Sequence, residues 1–176
     1  SNLYVYSKPW KGVEMSDEYR LISVEDTRFL HCNIKTLNLL PNVMAAQKAK
    51  EAGCSEAVFV RDGYVTEGSH SNISLIKDGV FVTHPLDNLI LPGTERKHML
   101  AYCEELGILV EERAFTLKEM AEADEIIVSS TSHPSMRAME LDGKAVGMKN
   151  PEIVEKLRER YREEICKDCG KEPEVC

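Results

Sequence analysis

Apolar and polar residues alternate over residues 20–25, RLISVE, the spacing of a strand with one buried face. CNIKTLNL, residues 32–39, follows as a second extended piece. Pro41 then opens a helix over PNVMAAQKAKEAG, because proline fits a first helical turn and alanine favours the interior; Gly53 stops it. EAVFVRDG reads as a strand and turn, with Asp62-Gly63 a hairpin signal, and Tyr64-Val65-Thr66 continues extended. SNISLIKDGVFVTH is a strand, an Asp78-Gly79 turn and another strand. LPGTERKHMLAYCEELG predicts a turn feeding a helix that ends at Gly107. ILVEERAF is a strand, and TLKEMAEA a short helix capped by Thr116. DEIIVSS reads as a buried strand and MRAMELDGKAVG as strand, turn, strand. NPEIVEKLRERYREEI is amphipathic at helical spacing, with Asn150 as its cap and Pro151 in the first turn. Strands and helices are interspersed, yet several strands are joined by hairpins. The predicted class is therefore α/β with a mixed sheet, not a purely parallel one.

Length and charge narrow the function. A chain of 176 residues, 43% of them apolar, fills one core. The net charge of -8 leaves no basic face for nucleic acid or an anionic membrane. No apolar run approaches membrane-spanning length and no signal peptide opens the chain, which predicts a cytoplasmic protein. In that compartment the six cysteines default to free thiols. Cys166 and Cys169 form a CxxC, with Cys176 nearby, but the polar tail offers no fourth zinc ligand.

Four stretches could carry chemistry. Lys35 sits among apolar residues. Kept inside, its amine would lose its proton and become a nucleophile for an aldehyde; on the solvent side of a strand it would be an ordinary surface lysine. Glu67 opens EGSHSN, where Gly68 lets the backbone turn or approach a ligand and the carboxylate can face a bound cation. The same residues suit a plain polar loop. LPGTER, with Leu91, Thr94 and Glu95, places a glycine turn at a helix start, a seat for phosphate. Ser129-Ser130-Thr131-Ser132 puts hydroxyls after the apolar strand Ile126-Ile127-Val128, where a ligand crevice or a loop would have them. An amine, a carboxylate, an anion seat and hydroxyls are together what pyridoxal phosphate needs.

NIKTLNLLPNV, DGYVTEGSHSN, THPLDNLILPGTER and ADEIIVSSTS occur in the order found in fold-type IV pyridoxal-phosphate aminotransferases. From Ser23 to Lys156 the chain resembles the C-terminal part of that family, most nearly the D-amino acid aminotransferases. The resemblance implies a sheet partly closed into a barrel with flanking helices, and pyridoxal 5'-phosphate as cofactor. It implies a cofactor domain over residues 20–165, after an N-terminal segment, 1–19, and before a polar tail, 166–176. Lys35 stands at the family's Schiff-base lysine, which also shuttles the substrate's proton, so the resemblance implies that its amine is buried. Glu67 stands at the carboxylate facing the pyridine nitrogen. Leu91 would pack on the ring, Thr94 and Glu95 would offer amides to the phosphate, and Thr131 a hydroxyl. The implied reaction moves an amino group between a D-amino acid and a 2-oxo acid, in a homodimer.

The chain departs from the family in three ways. The domain that normally precedes this segment, with its arginines, histidine and tyrosine, is missing, so the expectation is a fragment. Where the family commonly reads glycine-isoleucine-threonine-arginine, this chain has Gly93-Thr94-Glu95-Arg96, and Glu95 is expected to turn to solvent. His70 replaces a usual serine. A branched-chain aminotransferase, an aminodeoxychorismate lyase and a non-catalytic isolated domain remain open alternatives.

Overall fold

The coordinates are a computed structural model, and residues 3–7 and 18–170 are described. Strand β1 (Glu18–Glu25) is flanked on both edges by parallel partners. One is β2 (Glu56–Arg61), reached through helix α1 (Leu40–Glu51); Leu21 pairs with Glu56. The other is β9 (His133–Leu141), where Leu21 pairs with Leu141. From β2 the chain turns back through Asp62 and Gly63, φ 51° and 83°, into β3 (Tyr64–Gly68). Two consecutive positive φ angles make the tight turn whose twist suits a hairpin, and Asp-Gly supplies them at little cost. Asp78 and Gly79 repeat the device between β4 (Asn72–Lys77) and β5 (Val80–Thr83).

Helix α2 (Thr94–Glu105) precedes the short strands β6 (Val110–Glu112) and β7 (Phe115–Thr116). Helix α3 (Leu117–Glu122) follows, closed by the reciprocal bonds of Thr116 and Glu119. Strand β8 (Glu125–Ser130), β9, β10 (Lys144–Ala145) and helix α4 (Pro151–Asp168) complete the order. The sheet runs β6-β5-β4-β8-β9-β1-β2-β3-β7, with β10 on β9, and curls into a half-barrel with helices outside. Parallel and antiparallel pairs coexist in it, which is the mixed α/β sheet expected from the interleaved hairpins.

Burial explains the unbroken apolar runs. On β8, Ile126 and Val128 enter the core within the curl, with Leu21, Leu75 and Met136. Ile127 faces the other way, with Ile76 and Phe81, onto Met99 and Tyr102 of α2 and Val154 and Leu157 of α4. A strand covered on both faces loses its alternation. Helix α1 covers β2 with Ala45 and Ala49 against Ala57 and Phe59. Its other face carries Leu40, Val43 and Met44, all exposed.

Several expectations change. CNIKTLNL is not a strand: both edges of β1 are already paired, and Ile34 and Leu37 are 56% and 98% exposed. ILVEERAF divides into β6 and β7, which pair with different strands. Asn150 stands at the start of α4 but its side chain does not cap it; its backbone amide donates to Glu125 Oε1 at 2.8 Å instead. Cys32, Cys54, Cys103 and Cys169 are free thiols, whereas Cys166 is disulfide-bonded. A compartment default cannot anticipate a pair that folding brings together. Cys176 lies outside the described residues. Among the described residues, no helix is long and apolar enough to cross a membrane.

Candidate active site

Four segments meet at one end of the sheet: the loop from β1 to α1, the β3–β4 turn, the approach to α2 and the end of β8. They enclose a cavity of about 620 Å³, to which Lys35, Glu67, Leu91, Thr94, Glu95 and Thr131 all contribute. That volume lies within the roughly 300–1,000 Å³ usual for small-molecule sites.

Glu67, the penultimate residue of β3, is 6% exposed. Arg28 Nη1 donates to its Oε1. The Leu91 amide donates to Oε2 at 2.9 Å and Asn72 Nδ2 at 3.3 Å. A carboxylate offers about four acceptor positions. These three donors leave one, on Oε1. Burial pushes the Glu67 carboxyl up to about 7, while the Arg28 charge and the Leu91 amide pull it down. Arg28 is itself buried, with Nε and Nη2 on the two Asp26 oxygens, each at 2.9 Å, and its guanidinium 4.2 Å from the Phe59 ring centre. Burial alone would raise Asp26, but Arg28 and Arg61 outweigh it and hold that carboxyl near 2.

Asn72 ties this carboxylate to the start of α2. Its Nδ2 also donates to the Leu91 carbonyl at 2.9 Å. Its Oδ1 lies so near Gly93 that a Cβ there would meet it at 2.1 Å. Gly93 is extended, φ −65° and ψ 142°, and no side chain caps the helix it begins. The first-turn amides are thus open to an anion. Thr94 Oγ1 and Thr131 Oγ1, 3.3 Å apart, stand beside them. Arg96 faces elsewhere, donating to the His84 carbonyl at 2.9 Å and to Glu112 at 2.6 Å. Ser71 Oγ and Ser130 Oγ are buried against the cavity and have no hydrogen-bond partner among the described residues.

Two site residues sit differently from expectation. Lys35 lines the cavity but is exposed, on a loop whose apolar residues face outward and do not enclose the amine. Glu95 is buried at 5% exposure and does not turn to solvent, because the start of α2 packs toward α4. Its Oε1 has no hydrogen-bond partner among the described residues, and burial, with Glu164 adding repulsion, raises its carboxyl to about 7. Arg28 and Asn72 were not anticipated. The Arg28–Glu67 contact spans 39 residues, so only the charged pair Asp26 and Arg28 beside an apolar strand hinted at it.

These features fit pyridoxal phosphate: an amine in the cavity, an ionisable carboxylate with one open acceptor position, an uncapped helix start and unpartnered hydroxyls. The family model for amino-transferase class IV matches residues 2–141. D-alanine aminotransferase of Bacillus licheniformis is 44% identical over 144 residues, 82% of this chain and 50% of that protein. That of Listeria monocytogenes serotype 4b is 46% identical over 152 residues, 85% of this chain and 52% of that protein. The chain thus spans about half the length of the curated relatives it matches. Among solved structures, the branched-chain aminotransferase of Thermoproteus uzoniensis, with norvaline, superposes with a TM-score of 0.74 at 28% identity, covering 89% of this chain and 54% of that one. The branched-chain enzyme of Thermobaculum terrenum, in its PLP-bound holo-form, gives 0.77 at 26%, covering 86% and 53%. By its sequence match and its fold alike, the chain belongs to the amino-transferase class IV family.

Proposed function

We propose that this chain holds pyridoxal 5'-phosphate and that its protein transfers an amino group between a D-amino acid and a 2-oxo acid. The observation that carries the reading is that Lys35, Glu67 and the open start of α2 line one cavity. When bound, the cofactor supplies an electron-withdrawing ring that stabilises negative charge at the substrate's α-carbon. The chain's own residues do the rest. Glu67, at the open position of Oε1, would accept a hydrogen bond from the protonated ring nitrogen and so favour its keeping that proton. Arg28 and Asn72 fix the carboxylate's direction. The first-turn amides of α2, with Thr94 and Thr131, would seat the phosphate, and Leu91 would cover the ring. Lys35 Nζ would be the amine that holds the aldehyde, with loss of water, and as a free amine it would be the base placed to take the proton from the substrate's α-carbon. Because Lys35 stands exposed here, its desolvation would come from what closes the cavity, cofactor and substrate included.

The D-amino acid assignment rests on the relatives named D-alanine aminotransferase, which are nearer in sequence than the branched-chain structures. Exposed Ile34, Leu37, Leu40, Val43 and Met44 beside the cavity favour a homodimer that buries this rim. The test is to mix the chain with pyridoxal phosphate, reduce with borohydride, and map the adduct by mass spectrometry. A phosphopyridoxyl group on Lys35, absent from Lys35→Ala, is expected. No adduct, or labelling spread over surface lysines, would remove the cofactor reading. A panel of D- and L-amino acids with 2-oxoglutarate then separates the D-specific reaction from the branched-chain one.

A further inference from the structure

His70 is the cavity feature that the proposed chemistry leaves unused. Among the described residues lining the cavity, the basic side chains are Arg28, Lys35 and His70. Arg28 is committed to Asp26 and Glu67, and the proposed reaction uses Lys35. His70 lies at the β3–β4 turn with its side chain 53% exposed. Its Nδ1 is 3.0 Å from Glu56 Oε1, and its backbone amide donates to the same oxygen at 2.9 Å. Ser69 Oγ adds a third hydrogen bond there at 2.7 Å.

The burial of Glu56 decides what this contact means. Its side chain is 1% exposed, and among the described residues His70 is its one ion-pair partner. A buried carboxylate without a cation is strongly unfavourable, so the pair favours an imidazolium. The Glu56 hydrogen bond raises the His70 pKa, against the lowering by burial. With Nδ1 on Glu56, the imidazolium carries its other hydrogen on Nε2, which has no hydrogen-bond partner among the described residues. The nearest other titratable ring is His133 of β9, edge-on with its centroid 6.5 Å away.

We propose that His70, positioned by Glu56, is an oxyanion-binding cation of this cavity that takes the second carboxylate of an acidic amino acid or 2-oxo acid. The proposal rests on the cofactor reading above. The phosphate has its own seat at the uncapped start of α2, between the Thr94 and Thr131 hydroxyls. The ring-nitrogen end belongs to Glu67. His70 therefore serves the space left for substrate, where a charged partner discriminates a carboxylate from a methyl group.

The test is calorimetric binding of three probes to the chain: N-(5'-phosphopyridoxyl)-D-glutamate, the corresponding D-alanine adduct, and pyridoxamine 5'-phosphate. The glutamate adduct should bind about tenfold more tightly than the alanine adduct. His70→Ser should erase that preference while leaving pyridoxamine phosphate unchanged. Equal weakening of all three probes would place His70 on the phosphate and overturn the substrate assignment. Equal binding of both adducts to the unmodified chain would overturn it while leaving the cofactor reading intact, whereas binding of none would remove both. Independently of any variant, long-range proton–nitrogen spectra of His70 near pH 7 should show both ring nitrogens protonated; a neutral tautomer would sink the proposal.

Discussion

Replacing Glu95 with glutamine should make the chain more stable at alkaline pH and leave it nearly unchanged in acid. The folded chain holds the Glu95 proton up to about 7, against 4.5 for an ordinary glutamate. Folded chains therefore keep a proton that unfolded chains have released across that window, and stability falls as pH rises through it. Converted directly, the shift would correspond to at most about 3 kcal/mol. The dipole at the start of α2 favours the charged form by roughly 0.3–1 kcal/mol, and nearby solvent screens Glu164. A net of on the order of 2 kcal/mol follows. Glutamine keeps the shape, needs no ionisation, and can direct an N–H toward Glu164. Urea unfolding of both chains, from about pH 4 to about pH 8, should give curves that meet in acid and separate by about 2 kcal/mol above neutrality. Parallel curves, or a variant weakest at high pH, would refute the argument that the buried, unpartnered Oε1 is what burdens this helix start.

Arg28→Met should destabilise the chain by about 3–5 kcal/mol at neutral pH by stranding Asp26 and Glu67, with part regained in mild acid as the carboxyls protonate; urea midpoints at two pH values check this. Gly93→Ala should cost about 2 kcal/mol, because its Cβ would meet Asn72 Oδ1 at 2.1 Å. Adding Asn72→Ala should relieve that clash, so the double variant's loss of unfolding free energy should be smaller than the sum of the two single losses. Thr116→Ala should cost about 1 kcal/mol in thermal or urea unfolding, since it removes the hydroxyl that accepts the Glu119 amide at the start of α3.

Local pattern was a sufficient guide wherever a residue's neighbours in sequence also set its surroundings. β1, the Asp-Gly hairpins, the Thr116 cap and the apolar β8 all follow from short-range chemistry. It failed where the surroundings come from afar. Residues 32–39 look strand-like because Ile34, Leu37 and Leu39 are apolar, yet all three are exposed, and nothing local distinguishes a core position from one on an open rim. At the site, Lys35, Glu67, the start of α2 and the hydroxyl run were legible as residue types suited to a cofactor. The network that orients Glu67 was not, since Arg28 and Leu91 reach it from positions 39 and 24 residues away. Glu95 was misjudged for the same reason: α4, which buries it, begins only at Pro151.

The position of β1 between β2 and β9 bears on how the chain acquires its shape. Leu21 finds one neighbour at Glu56 but the other only at Leu141. During synthesis, then, one side of β1 stays a raw row of amides and carbonyls until β9 has left the ribosome. Truncation before His133 leaves that edge permanently open and invites pairing between molecules, so shortened versions should gather into aggregates rather than persist as smaller folded units.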